Sequence, residues 1–366
     1  MLITKNIINI LKKKNINFYT GVPDSVLKSF SLNLKNLNKK KHVIAANEGG
    51  AVSLATGYHL ASKNIPVVYF QNSGLGNIIN PLTSIIHKDV YSIPMIFFIG
   101  WRGAPGIKDE VQHQVQGKIT LKQLKLLNIK YKIFHKSKYK DQLLDLITLT
   151  KKEKHPVAFL FKNKDLEIDS KLKDDIKKKY SIKRSLLISE LLNYCKSSRI
   201  IATTGFTSRE LLQIRKLKKK NKSKDFYMVG GMGHSSMVAL GYSLSSKKQT
   251  ICLDGDGSFL MHMGASVISS KFAEKNFKYI LLNNTTHESV GGQPTAIDKI
   301  NLKRFCSSIG YKKYYSLKDK KSIKKTLKTF LNSTGPSFLN VSINSGSLEN
   351  LIRIKNLDEI KKNFID

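Results

Sequence analysis

The stretch ICLDGDGSFLMHMG at residues 251–264 runs an apolar strand pattern into Asp254-Gly255-Asp256-Gly257-Ser258. YILLNNTTHESVGG at 279–292 runs a second one into Asn283 and Asn284. A strand that ends in a carboxylate and small turn residues presents polar ligands at the carboxyl edge of a sheet, where open α/β folds collect their ligands. A carboxylate oxygen, an amide oxygen and a backbone carbonyl from two neighbouring strand ends form a hard-ligand set suited to magnesium. Magnesium in such a set usually holds a substrate or cofactor diphosphate. Taken singly, Gly255 and Gly257 read better as an ordinary turn and the Asn pair as a cap. Their pairing favours the ligand set.

The rest of the chain alternates in the same rhythm. Apolar runs at 17–19, 42–45, 66–70, 94–99, 131–134 and 156–161 are each separated by enough residues for a crossover helix or loop, which predicts a mainly parallel sheet. Further strands are expected at 199–202, 250–253, 277–282 and 337–341, with helices at 234–245 and 317–330. Between them, KNKDLEIDSKLKDDIKKKYSIKR at 162–184 has little to bury. The expected organisation is therefore a first domain at 1–163, a charged linker at 164–184 and a second domain at 185–366. Both domains are of the α/β class, each a mainly parallel sheet flanked by helices, with no middle domain.

Length and composition agree with two such domains, since 366 residues exceed one ordinary core. The formal charge of +37 would suit a polyanion binder, but only seven of the 63 basic residues are Arg and the Lys are spread along the whole chain. RKLKKKNKSK at 215–224 lacks interleaved aromatic residues and reads as exposed turns or helix ends. No nucleic-acid partner is expected. Three widely spaced cysteines give neither a disulfide framework nor a thiolate zinc site. No run reaches the roughly 18 apolar residues that span a bilayer, and the amino terminus has the reverse order of a secretory signal. A cytoplasmic protein without a membrane partner is expected.

The Gly-Asp-Gly of 255–257, followed 28 residues beyond Asp256 by Asn284, resembles the diphosphate-binding motif of thiamine-diphosphate enzymes. The resemblance implies thiamine diphosphate and Mg2+ as cofactors. It implies Asp256, Asn284 and the backbone of Thr286 as metal ligands, with Gly255, Gly257 and Ser258 in the cofactor-binding turn. HVIAANEGGAVSLATGYHLA at 42–61 places Glu48 at the family's glutamate position, where a buried acid touches the cofactor's aminopyrimidine. Without that context, Glu48 reads as a first-turn helix residue satisfied by backbone donors. TGVPDSVL at 20–27 looks like the start of a pyrimidine-binding domain. GGMGHSSMVALG at 230–241 resembles the segment beneath the cofactor, which implies a carbonyl acceptor at Gly230 and a wedge at Met232. In the family the cofactor lies between subunits, so the resemblance also implies an obligate homodimer or higher homo-oligomer.

Three longer stretches, at 71–85, 100–120 and 283–295, resemble the phosphonopyruvate and sulfopyruvate decarboxylases. Decarboxylation of a small anionic 2-oxo acid, 3-phosphonopyruvate, is the implied activity, with 3-sulfopyruvate as the alternative. A polyanion-binding protein reusing the fold is the reading from a different class. Fusion of both halves in one chain favours the phosphonate. Val111 stands where the family tends to have Pro, and Ala104 where an acid is common.

His113 and His287 are the expected proton-handling residues, because imidazole titrates near pH 7. His113 is expected in a polar loop. Arg102 offers a planar pair of donors for the anionic tail, with Asn72, Ser73 and Gln116 as neutral donors.

Overall fold

Val67-Val68-Tyr69-Phe70 and Ile96-Phe97-Phe98-Ile99 lack any polar alternation, as strands covered on both faces should. The computed structural model describes residues 3–167, 180–195, 197–218 and 224–365. It divides into two compact units, Met1–Asp174 and Asp175–Asp366.

In the first unit, strands β1 (Tyr19–Gly21), β2 (His42–Ile44), β3 (Val67–Gln71), β4 (Ile96–Gly100), β5 (Lys130–Ile133) and β6 (Val157–Phe161) form one sheet in the order β2-β1-β3-β4-β6-β5. Every pairing is parallel. Its helices are α1 (Ile3–Lys13), α2 (Lys28–Asn33), α3 (Glu48–Ser62), α4 (Leu75–Pro81), α5 (Val111–Leu126) and α6 (Tyr139–Glu153). Alternate residues divide between two cores. Val67, Tyr69, Ile96, Phe98 and Phe159 face one, and Val68, Phe70, Phe97, Ile99 and Leu160 face the other. Each fully buried side chain of this size contributes about 1.5–3 kcal/mol.

The second unit has β7 (Ile182–Lys183), β8 (Arg199–Ala202), β9 (Phe226–Tyr227), β10 (Thr250–Gly255), β11 (Phe277–Asn283), the hairpin strands β12 (Thr286–His287) and β13 (Gln293–Pro294), β14 (Lys313–Leu317) and β15 (Ser337–Asn344). The main sheet runs β14-β15-β11-β10-β8-β9, all parallel, and β7 pairs with the end of β15. Its helices include α7 (Arg184–Tyr194), α8 (Phe206–Leu217), α9 (Ser235–Leu244), α10 (Asp256–Met261), α11 (Gly264–Phe272), α12 (Leu302–Ile309), α13 (Ile323–Asn332) and α14 (Leu357–Ile365).

Three local expectations change. The helix expected at 317–330 begins only at Ile323, because Lys313–Leu317 is an edge strand on β15 and Lys320–Ser322 a 3-10 turn. Of the basic stretch at 215–224, Arg215 is buried in a bidentate pair with Asp225, while 219–223 lie outside the described residues. Ile182–Lys183, read from the sequence as linker, pair with β15, and 168–179 lie outside the described residues.

Candidate active site

In both units the residues singled out by sequence follow the carboxyl ends of strands or stand on the elements those ends lead into, and each sheet has a point where the strand order reverses, where open α/β folds collect ligands. That point falls between β1 and β3 in the first unit and between β8 and β10 in the second.

In the first unit, Asn47 caps α3 by accepting from the Gly50 N–H at 2.8 Å. This starts the helix at Glu48, which is 5% exposed. Asn77 Nδ2 donates to Glu48 Oε2 at 2.6 Å, and the carboxyl lies over Gly74, where a Cβ would come within 2.6 Å of Oε1. One oxygen of a buried acid is thus anchored, and glycine makes room for the other.

Asn72, 1% exposed, donates through Nδ2 to the Arg102 carbonyl and to Thr120 Oγ1, both at 2.9 Å. It accepts from the Arg102 N–H at 3.1 Å. Its amide is committed to joining β3 to the loop after β4 and to α5. Gln116 donates to the Asn72 carbonyl and to Gln123 Oε1, each at 2.7 Å, and Gln71 donates to the exposed Ser73 hydroxyl at 2.7 Å.

Arg102 Nε and Nη2 donate to Asp109 at 2.7 and 2.6 Å, and Nη1 donates to Ser25 Oγ at 2.9 Å. The planar fork expected for the substrate is therefore engaged by Asp109, which also accepts from the Gly103 and Glu110 N–H groups at 2.8 and 2.7 Å. His113 stands in the first turn of α5 rather than in a loop. Desolvation, with the nearby Arg102 charge, pushes its pKa down to about 4, so it is neutral at pH 7.

In the second unit, Asp256 opens α10 and is 3% exposed. It accepts from Thr295 Oγ1 at 2.8 Å and from the Gly257 N–H at 3.0 Å. Among the described residues it makes no ion pair, and burial raises its pKa to about 7. Register places Gly255 opposite Leu282, so Asp256 and Asn284 leave adjacent strand ends. Asn284 Oδ1 accepts from the Thr286 N–H at 3.1 Å across Thr285, which adopts a left-handed φ of 62°. A β-branched residue held there stores strain of a kind that concentrates at functional sites.

The β12–β13 hairpin brings His287 against Gly257, where a Cβ would meet Nδ1 at 2.9 Å and Met232 Cε at 3.3 Å. Gly257, Met232 and His287 therefore share one wall. Burial pushes the His287 pKa down to about 4. Ser258 Oγ accepts from the Gly233 N–H at 3.0 Å and pairs with Thr203 Oγ1 at 3.0 Å, tying the segment after β9 to α10. Gly230 lies half-buried in the same segment.

Residues 1–126 match the family described as thiamine pyrophosphate enzyme, N-terminal TPP binding domain, and residues 203–341 match its C-terminal TPP binding domain. The chain belongs to the thiamine pyrophosphate enzymes. A phosphonopyruvate decarboxylase of Streptomyces viridochromogenes is 29% identical to this thiamine pyrophosphate enzyme over 355 residues, covering 92% of this chain and 87% of the relative. A sulfopyruvate decarboxylase of Methanosarcina acetivorans is 26% identical, covering 94% and 92%. The sulfopyruvate decarboxylase subunit beta of Methanothermobacter thermautotrophicus is 30% identical over 184 residues, covering 50% of this chain and 94% of the relative.

Sequence reasoning passed over several residues of this thiamine pyrophosphate enzyme. Asp24, 1% exposed, accepts from the Val26 and Leu27 N–H groups at 3.0 and 3.1 Å through Oδ2 and, among the described residues, leaves Oδ1 without a hydrogen-bond partner. Burial raises its pKa to about 6 against the pull of Arg102. The signal available was an acid in the turn GVPDS directly after a strand. Thr203 and Thr295 carried no comparable signal, since each acts through a contact distant in sequence, and Asp109 serves its own loop.

Proposed function

We propose that this enzyme decarboxylates 3-phosphonopyruvate to phosphonoacetaldehyde and carbon dioxide, using thiamine pyrophosphate and Mg2+. The observation that carries the cofactor reading is the buried Asp256 carboxylate beside Asn284, with hydrogen bonds but no ion pair among the described residues. A divalent cation supplies the missing charge, and the donors present fit one: the Asp256 carboxylate, the Asn284 amide oxygen and the Thr286 carbonyl. The likeness to the Streptomyces phosphonopyruvate decarboxylase supports the substrate class.

When bound, thiamine pyrophosphate provides the electron sink that a 2-oxo acid needs to lose its carboxylate. Glu48 would meet the cofactor's pyrimidine through Oε1, the oxygen that its Asn77 hydrogen bond leaves free. A proton must replace the departing carboxylate on the reacting carbon. His113 and His287, both with pKa about 4, are neutral at pH 7 and serve as hydrogen-bonding groups rather than as cationic acids. Asp24, with a pKa near 6 and an unpartnered Oδ1, is the better placed acid in the first unit. Arg102 contributes positive charge to the anionic tail while Asp109 sets its orientation, and Ser73 offers an exposed hydroxyl.

The single-chain sulfopyruvate decarboxylase of Methanosarcina shows that fusion of two halves does not separate the two substrates. Its similarity favours 3-sulfopyruvate as the second reading. Exposed apolar side chains on α9 and α11, among them Met237, Val238, Ile268 and Phe272, support self-association into a homo-oligomer. The three cysteines are buried free thiols, which supports a reducing, cytoplasmic setting. No helix among the described residues is long and apolar enough to cross a membrane.

The deciding experiment assays carbon dioxide and aldehyde formation from 3-phosphonopyruvate, 3-sulfopyruvate and pyruvate with both cofactors present. A kcat/KM at least about tenfold higher for phosphonopyruvate, roughly 1.4 kcal/mol of transition-state discrimination, is expected. A preference of that size for sulfopyruvate, or turnover of none of the three, refutes the assignment.

A further inference from the structure

Asn284 presents an amide whose two ends differ chemically, and only the oxygen binds a cation. Its Nδ2 donates at 3.0 Å to Glu288 Oε2, an oxygen that also accepts from Arg184 Nη2, while Glu288 Oε1 accepts from the Gly346 N–H. The Glu288 side chain is 7% exposed and that of Arg184 5%. Arg184 is itself held by Glu210 at 3.5 Å and lies 5.7 Å from the centroid of the Phe206 ring.

An ionised carboxylate accepts hydrogen bonds and donates none, so the amide end facing Glu288 must be the NH2. The Asn284 oxygen is thereby turned away from Glu288. It takes the Thr286 N–H with one lone pair and keeps another. A purely structural Glu288 would need only Arg184 and Gly346. The third contact, to Asn284, has no role in joining α7 to the segment after β15.

We propose that Glu288, held by Arg184, is a positioning residue that fixes the Asn284 amide with its oxygen toward the divalent cation. This rests on the metal reading of Asp256 and Asn284. Outer contacts of this kind typically change metal affinity 10–100-fold when removed.

The test measures Mn2+ affinity from the electron paramagnetic resonance signal of free Mn2+, with saturating thiamine pyrophosphate. It compares the wild type with Asp256→Ala, Glu288→Gln, Glu288→Asp, Asn284→Ala and the double variant Asn284→Ala/Glu288→Gln. Glu288→Gln should weaken Mn2+ binding at least about tenfold, with Glu288→Asp intermediate. In the Asn284→Ala background it should have no further effect, because the two residues act as a unit. Wild-type Mn2+ affinity in Glu288→Gln while Asp256→Ala has lost binding, or equal weakening in both backgrounds, overturns the positioning role and leaves the metal site standing. Absence of Mn2+ binding by the wild type, or its retention by Asp256→Ala, overturns the metal reading and the inference together. If Glu288→Gln does not fold, Glu288→Asp carries the same comparison, since it keeps the charge facing Arg184 and shortens the reach to Asn284.

Discussion

Gly74→Ala tests the placement of Glu48 without touching Glu48. The Gly74 backbone has φ −73° and ψ −9°, a conformation that alanine adopts freely, so no backbone strain is introduced. Its new Cβ would lie 2.5 Å from Glu48 Cγ and 2.6 Å from both Cδ and Oε1. Ordinary contact needs about 3.5–4.0 Å, so the carboxyl must retreat by roughly 1 Å. The start of α3 is fixed by the Asn47 cap, which leaves rotation of the Glu48 side chain, against its Asn77 hydrogen bond, as the easiest response. A displacement of about 1 Å at a reacting group costs on the order of 100-fold in rate, near 2.7 kcal/mol. The overpacking costs about 1–3 kcal/mol of stability. Turnover of 3-phosphonopyruvate should therefore fall about 100-fold at saturating cofactor while circular dichroism and a cooperative melt persist, and the loss should not exceed that of Glu48→Gln. A folded Gly74→Ala enzyme with wild-type kcat would refute the reasoning, since the acid would then tolerate displacement.

Lys278 is fully buried in β11, donating to the Ser333 carbonyl and hydroxyl, and burial lowers its pKa from 10.5 to about 8. Because the unfolded chain holds that proton up to pH 10.5, the charged lysine destabilises the fold below pH 8, and the penalty fades as pH rises from 8 to 10.5. The shift corresponds to about 3 kcal/mol, partly offset by lost hydrogen bonds, so Lys278→Met should gain about 1–2 kcal/mol at pH 7 in urea titrations and lose that gain by pH 10.5. Asp24 has the opposite protonation pattern, since its folded pKa of about 6 lies above the ordinary 3.8. The fold is therefore penalised as pH rises from 4 to 6 and fully so above. Asp24→Asn should be more stable than wild type at pH 8, yet slower, with loss of the activity limb near pH 6; an unchanged pH–rate profile would remove Asp24 from the proton pathway.

The strand cores were legible because doubly covered parallel strands need unbroken apolar runs, and β8 matches its expected 199–202. β14 was not, since Lys313, Tyr314 and Tyr315 on an edge strand mix exposed and half-buried positions. The strand-end positions of Asp256 and Asn284 were legible because both follow apolar strand patterns directly in sequence. The engagement of Arg102 by Asp109 was not: nothing in WRGAPGIKDE says whether a guanidinium serves its own loop or a ligand. Asn72 likewise reads in sequence as a neutral donor to substrate, while in the fold its amide joins residues 30 and 48 positions away. Polar residues near strand ends are visible in sequence, but the division of their hydrogen bonds between fold and ligand is a tertiary property.

The charge distribution bears on those two uses. With 63 Lys and Arg against 26 Asp and Glu, this chain has cations to spare for every acid. Three of its seven arginines are indeed spent on structural acids: Arg102 on Asp109, Arg184 on Glu210 and Glu288, and Arg215 on Asp225. Asp24 and Asp256 are also buried, yet among the described residues neither forms an ion pair, and burial raises the pKa of both, that of Asp24 against the pull of Arg102. Leaving a buried carboxylate without a cation is costly, and here it cannot follow from scarcity. An acid kept unpaired in so basic a protein is free to take a proton or to meet a cation that the chain does not supply. On the function proposed above, Asp24 serves the first use and Asp256 the second, and both stand at strand ends beside the reversal of strand order in their sheets.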